Sequence, residues 1–235
     1  MAIQAQEKFF YASGAVANGV KGDAFTFFLL FFYSNVIGLT PGLASLAIFI
    51  ALMVDAITDP VMGMISDRTN HRLGRRHPYF LLGIIPMCLS NFMLFSIQSS
   101  WGLSQQQLFL WMLPFIILTR LGMTIFEVPH RSLRSEMSRS YTERTSIFAA
   151  REMFGWLVGL FNAFLAFTVF FKDTPEYIPG TQNPEPWIYY GMTGAALMCI
   201  SVLVTYFGTL KYRSNTKIKT QAFTLRLIFS QLLIA

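Results

Sequence analysis

The chain has 235 residues, of which 54% are hydrophobic and 13% charged, with a formal net charge of +6. Its apolar residues run on for twenty or more positions, enough to cross about 30 Å of hydrocarbon, which excludes a soluble domain and makes this an integral membrane protein. The basic excess does not point to nucleic acid, because its distribution along the chain follows membrane topology.

Six spans are expected, at residues 10–37, 43–66, 78–97, 108–133, 147–171 and 187–210. Helices satisfy their own backbone groups in lipid, so the fold class is all-α, a polytopic bundle. No basic region followed by a short apolar core and cleavage site precedes the first span, so that span is expected to remain. Fourteen of the eighteen Lys and Arg fall at the N-terminus, in the loops after spans 2 and 4, and beyond span 6, and only Lys172 lies on the opposite side. This asymmetry places the N-terminus and those segments in the cytoplasm. Trp187, after an acid- and proline-rich loop, is expected at the outer interface. Cys88 and Cys199 fall inside spans without metal or redox spacing and read as core side chains. After the basic stretch "KYRSNTKIK" a new apolar pattern starts. Residues 211–235 therefore read as a cytoplasmic linker and the lead-in to a seventh helix, with an amphipathic surface helix as the other reading. On the first of these, residues 1–210 form the N-terminal six-helix bundle of a longer protein.

Leaving aside Arg131 at the end of span 4, eight charges lie inside the spans: Lys21, Asp23, Asp55, Asp59, Arg120, Glu127, Arg151 and Glu152. Each costs about 2.5–3.5 kcal/mol at a helix centre, so each needs compensation. Asp55 and Asp59 are four residues apart and share one face of span 2. At about 6 Å their repulsion is roughly 2.8 kcal/mol with an effective dielectric near 20. Protonating one carboxylate or placing a cation between them relieves this, which are the two options of a Na⁺ or H⁺ site. Arg120, Thr124 and Glu127 share a face of span 4 and add a hydroxyl, a third carboxylate and a counter-ion. The competing reading is a structural ion-pair network with Arg120 and Arg151, but five acids against three bases leave the spans at −2. Arg151 and Glu152 sit near the expected cytoplasmic end of span 5, where snorkelling or pairing of the two adjacent side chains competes with an intramembrane role. Pro60 and Pro129 free backbone carbonyls near the same level.

Several segments together resemble the glycoside-pentoside-hexuronide:cation symporters of the major facilitator superfamily, the melibiose permease group. They are "YASGAVANG" and "FLLFFYSNVIGL" in span 1, "DAITDPVMGMISDRTNHRLGRRHPY" from span 2 into the loop, "EVPHRSL" ending span 4 and "TERTSIFAAREMFG" entering span 5. The resemblance implies a secondary active transporter, not an enzyme. It would couple Na⁺ or H⁺ to a sugar, glycoside or hexuronide across the cytoplasmic membrane, with no cofactor beyond the coupling ion. Its partners would be the substrate, the lipid and a C-terminal six-helix half. It assigns Asp55, Asp59, Thr124 and Glu127 to the cation site and Arg151 to the sugar cavity. Asp67, Arg68, Gly74, Arg75 and Arg76 fall to a cytoplasmic gate.

The chain departs from that pattern on span 1, where Asn18, Lys21 and Asp23 stand in for a Lys-Asp pair. It departs again on span 4, where Arg131 takes the place of a tryptophan. Together with Arg120 and Arg151 these residues form the expected substrate set, and the added positive groups allow an acidic sugar. On the other reading Arg120 neutralises Asp55 or Glu127 and Arg131 only marks the helix end. His130, at that same end beside an arginine, is expected to be solvated, with a second polar contact or a proton participant as the other reading. Outside transport, a half-size or non-transporting membrane protein remains as an alternative. An intramembrane aspartyl protease is disfavoured because Asp55 and Asp59 share one helix and no "GxGD" occurs.

Overall fold

A computed structural model describes residues 3–213, so the expected seventh-helix segment lies outside the described residues. Among the described residues, six helices are long and apolar enough to cross a membrane. They are α1 (Ala5–Val36), α2 (Pro41–Arg68), α3 (His77–Ser96), α4 (Gln105–Met137), α5 (Tyr141–Phe170) and α6 (Pro186–Tyr212). No regular strand occurs among the described residues, and the bundle is all-α as expected.

The local signals explain several of the boundaries. Thr40 followed by Pro41 starts α2, with proline at the one position where its missing N–H costs nothing. Ser104 caps α4 by accepting from the Gln107 N–H, and Gln107 returns the bond to the Ser104 N–H at 2.9 Å. α2, α4 and α5 run farther into the polar flank than the apolar runs indicate, because charged side chains such as Arg68, Arg134 and Glu143 continue the helices beyond the hydrocarbon. α1 is the least regular. It turns at Ser13 and Gly14, and it widens into π-helical turns at Ala24–Phe28 and Phe32–Val36.

α3 packs along α4 and α6, α2 along α4, and α1 against α5 and α6. With no hydrophobic drive between helices in lipid, this packing depends on close van der Waals approach, which small residues permit. A Cβ on Gly122 of α4 would lie 2.4 Å from the Met87 backbone N of α3, and one on Gly19 of α1 would lie 2.5 Å from the Gly155 O of α5. Gly122→Ala is therefore expected to cost about 1–3 kcal/mol by forcing α3 and α4 apart. Thermal unfolding of the detergent-solubilised protein would show it as a lowered midpoint. Gly42→Ala, where nothing lies within 4 Å, is expected to leave the midpoint in place.

Two apolar clusters stack inside the bundle. One gathers Phe28, Phe32, Phe95, Phe171, Trp187 and Tyr190, and the other gathers Tyr11, Phe80, Met87, Met123, Phe126 and Tyr206. Trp187 belongs to the first and is fully buried, stacked on Phe95 with its Nε1 donating to the Thr181 carbonyl at 3.1 Å. It is held among the aromatic side chains of this cluster rather than exposed on the bundle surface. Cys88 and Cys199 are partly buried free thiols on α3 and α6.

Candidate functional site

α2 and α4 carry the charged side chains that define the site. Asp55 and Asp59, one turn apart on α2, line a single cavity of about 150 Å³ together with Asn18 and Lys21 of α1 and Thr124, Glu127 and Arg131 of α4. Thr124 donates to Asp59 Oδ1 at 2.7 Å. Asp55 pairs through Oδ2 with Arg120, whose guanidinium also lies over the Phe25 ring at 5.2 Å. The second oxygen, Asp55 Oδ1, is buried and has no hydrogen-bond partner among the described residues. The cavity thus holds an unsatisfied carboxylate oxygen next to a second carboxylate and a hydroxyl. That donor set suits a hard monovalent cation.

Glu127 sits at the junction of two networks. Its Oε1 accepts from Arg151 of α5 at 2.7 Å and from Arg131 at 2.7 Å. Arg151 is 2% exposed and also pairs with Glu152. The snorkelling reading of Arg151 is therefore corrected, while the expected adjacent pair with Glu152 is present: α5 begins at Tyr141, ten residues earlier, and the guanidinium also reaches Glu127. Among the described residues no three His, Cys, Asp or Glu side chains group closely enough to hold a metal ion. Glu127 shares the cavity of Asp55 and Asp59 while its Oε1 is engaged by the two arginines.

The expected substrate residues line three cavities, one of them, of about 340 Å³, shared by Arg131 and Arg151 with Tyr11 and Arg134. Asn18, Lys21 and Arg131 line the acidic cavity, whereas Asp23 and Arg151 line a larger one of about 310 Å³ between α1 and α5, with Asn18 bordering both. Asp23 is two residues from Lys21, so the helix turns it to another side, where Gly159 lets its carboxylate pack against α5. Its Oδ2 is buried without a hydrogen-bond partner among the described residues. Phe27, Trp156 and Leu160 form the apolar wall of this second cavity. Arg120 lines none of the three and is committed to Asp55.

His130 is fully buried, with Nε2 2.9 Å from the Tyr11 carbonyl oxygen and its ring stacked on Phe126. The solvated-helix-end expectation is overturned because α4 continues to Met137 and the Gly14 turn of α1 leaves room for the imidazole.

At the polar end of α2, Asp67 accepts from Arg76 at 2.8 Å, and Arg75 and Arg76 both reach Glu136 of α4 at 2.9 Å. Arg68 ends α2, and Gly74 turns the loop with φ +87, a left-handed conformation that a side chain would strain. Glu136 was not singled out from the sequence. Its signal was there, one of two acids, with Glu143, in a stretch that carries Arg131, Arg134, Arg139 and Arg144.

Comparison with known proteins follows the same lines. The uncharacterized symporter YnaJ of Bacillus subtilis is 30% identical over 227 residues, covering 92% of this chain and 46% of its own length. The glucuronide carrier protein homolog of Escherichia coli is 24% identical, over 84% of this chain and 41% of its own length. The sodium-dependent lysophosphatidylcholine symporter 1-A of Danio rerio is 33% identical, over 67% of this chain and 30% of its own length. The chain spans less than half the length of these relatives, and the similarity is to transporters rather than enzymes. A model of the family described as MFS/sugar transport protein matches residues 10–233, so the chain, a multi-pass membrane bundle, belongs to that family.

Proposed function

We propose that residues 1–210 form the N-terminal half of a secondary active transporter that couples Na⁺ or H⁺ to movement of a sugar, glycoside or hexuronide. Residues 211–235 would lead into a second six-helix half. One observation carries this reading: Asp55 Oδ1 is left unsatisfied in a cavity it shares with Asp59 and Thr124. Asp55, Asp59 and Thr124 would hold the ion. Glu127, held by Arg151 at the second cavity, would relay its occupancy to the substrate, so that ion binding favours the substrate-binding state. Asn18, Asp23, Arg131 and Arg151 would face the solute, and Arg120 would act through Asp55. The Asp67, Arg75, Arg76 and Glu136 network, with Arg68 and the Gly74 turn, would latch the cytoplasmic side as two halves rock about the site. The test is uptake by the full-length protein under an imposed Na⁺ or proton gradient, with a neutral glycoside and the matching uronide as competitors.

The anionic-substrate version loses part of its motive. Arg120, Arg131 and Arg151 each have a carboxylate partner within the protein. A second version takes an amphiphilic solute, its polar end at Arg151 and Asp23 and its apolar end along Phe27, Trp156 and Leu160. The competition assay separates the two versions when a lysophospholipid is added as a third competitor.

The proposed membrane is the cytoplasmic one, with the N-terminus inside. Single cysteines placed at Asn70, beside the arginine loop, and at Asn183, beyond Lys172, test this orientation. An impermeant thiol reagent on intact cells is expected to label position 183 and spare position 70, and the reverse pattern overturns it.

A further inference from the structure

Two charges of the acidic cavity stand without an ionic partner. Asp55 has Arg120, Glu127 has Arg131 and Arg151, and Glu152 has Arg151. Asp59 has only the Thr124 hydroxyl, and Lys21, across the same cavity, makes no ion pair within 4 Å among the described residues. The carboxylates that line this cavity with Lys21 are Glu127, Asp55 and Asp59. The three carboxylates of this cavity, Asp55, Asp59 and Glu127, are matched by three cations, Lys21, Arg131 and the Arg120 paired to Asp55, while Asp23, Arg151 and Glu152 line the neighbouring cavity. With Lys21 in place the cluster is electrically balanced. A free monovalent cation added to it would leave an uncompensated positive charge inside the membrane, which is unfavourable.

We infer that the Lys21 ammonium is a tethered counter-ion of the Asp55 and Asp59 pocket, and that a coupling cation enters by displacing it. This rests on reading the pocket as a cation site. The three arginines cannot take this role, because each is fixed by a carboxylate in a directional pair, whereas Lys21 ends in a compact charge on a flexible four-carbon stem. Lys21 thus sets the ion affinity from the first helix, and its departure changes the lining that α1 offers the solute. The sequence pattern alone suggests a different role for it, as a substrate contact.

Na⁺ titration of the purified full-length protein in choline buffer, read by tryptophan fluorescence or thermal stability, tests the assignment. Lys21→Gln is expected to bind Na⁺ at least tenfold more tightly than the unaltered protein, or to gain a Na⁺ response the unaltered protein lacks. Lys21→Met, which keeps the apolar stem, serves as a second neutral variant. Lys21→Arg, which keeps the charge, is expected to bind no more tightly than the unaltered protein. Asp59→Asn is expected to remove the response in every background. If Na⁺ binding requires Asp59 but is unchanged or weaker in both neutral variants, the tethered-ion role is wrong while the cation site stands. If Na⁺ binding persists without Asp59, the site reading fails and takes this inference with it; if no protein responds to Na⁺, the tethered-ion role is wrong while a proton site stands. A loss of solute affinity in Na⁺-free buffer, with ion affinity unmoved, would return Lys21 to the substrate set.

Discussion

Asp59→Asn in the full-length transporter is expected to abolish ion-driven accumulation while leaving a folded protein that still equilibrates its solute. The substitution keeps the shape of the side chain and an oxygen to accept from Thr124, so the contact between α2 and α4 survives. It removes the one carboxylate of the cavity that has no arginine partner, and with it the charge that draws a cation in. Ion–solute coupling of about 1–3 kcal/mol, roughly 5–150-fold in affinity, would be lost. Asp55→Asn is expected to do the same and also to lower the amount of protein, because Arg120 would be left unpaired in the membrane. Accumulation ratios measured alongside membrane levels separate the two effects. An unchanged ratio in both variants would take α2 out of the coupling mechanism.

Arg151→Gln is expected to be the most destabilising single change in the bundle. The guanidinium is 2% exposed and joins Glu127 of α4 to Glu152 of its own helix. Truncating one member of a buried pair leaves the other charge uncompensated, at a cost of about 3–5 kcal/mol. Arg131 is more exposed and holds Glu127 from the other side, so part of the loss is recovered at that carboxylate. Glu152 keeps no other partner among the described residues. The unfolding midpoint of Arg151→Gln should fall well below that of Arg131→Gln. Adding Glu152→Gln to the former should recover part of the loss, since it removes the stranded charge. Equal midpoints for the two arginine variants would mean that burial of Arg151 carries no energetic weight.

Much of this arrangement was legible in the sequence because helical spacing is local. Asp55 with Asp59, and Thr124 with Glu127, could be placed on common faces by counting, and they do share one cavity. The same counting separates Lys21 from Asp23, which the structure sends to different cavities, although the resemblance to known symporters had grouped them as one substrate set. What counting along the chain does not supply is the rotation of one helix against another. It offered Arg120 either Asp55 or Glu127, and only the packing of α2 on α4 gives it to Asp55. Glu127 goes instead to Arg151, reached from a helix whose start was set too late by the apolar pattern. His130 was misread for the same reason, since the Tyr11 carbonyl that it meets is 119 residues away in the chain.

The charge balance changes once these partners are known. The sequence count gave the spans an excess of two acids, but Arg131 enters the cavity from the end of α4 and Asp23 leaves it for α5. An acidic pocket that looked starved of cations is closer to neutral, and its capacity for a coupling ion then depends on which built-in charge can move.

The most direct measurement is solute uptake into proteoliposomes holding only the full-length protein, with an inward Na⁺ or proton gradient as the sole driving force. The internal solute is expected to rise above the external level, to fall back when an ionophore collapses the gradient, and only to equilibrate in Asp59→Asn. Uptake by the unaltered protein that stops at equilibrium under both gradients, or uphill uptake that persists in Asp59→Asn, would contradict the account.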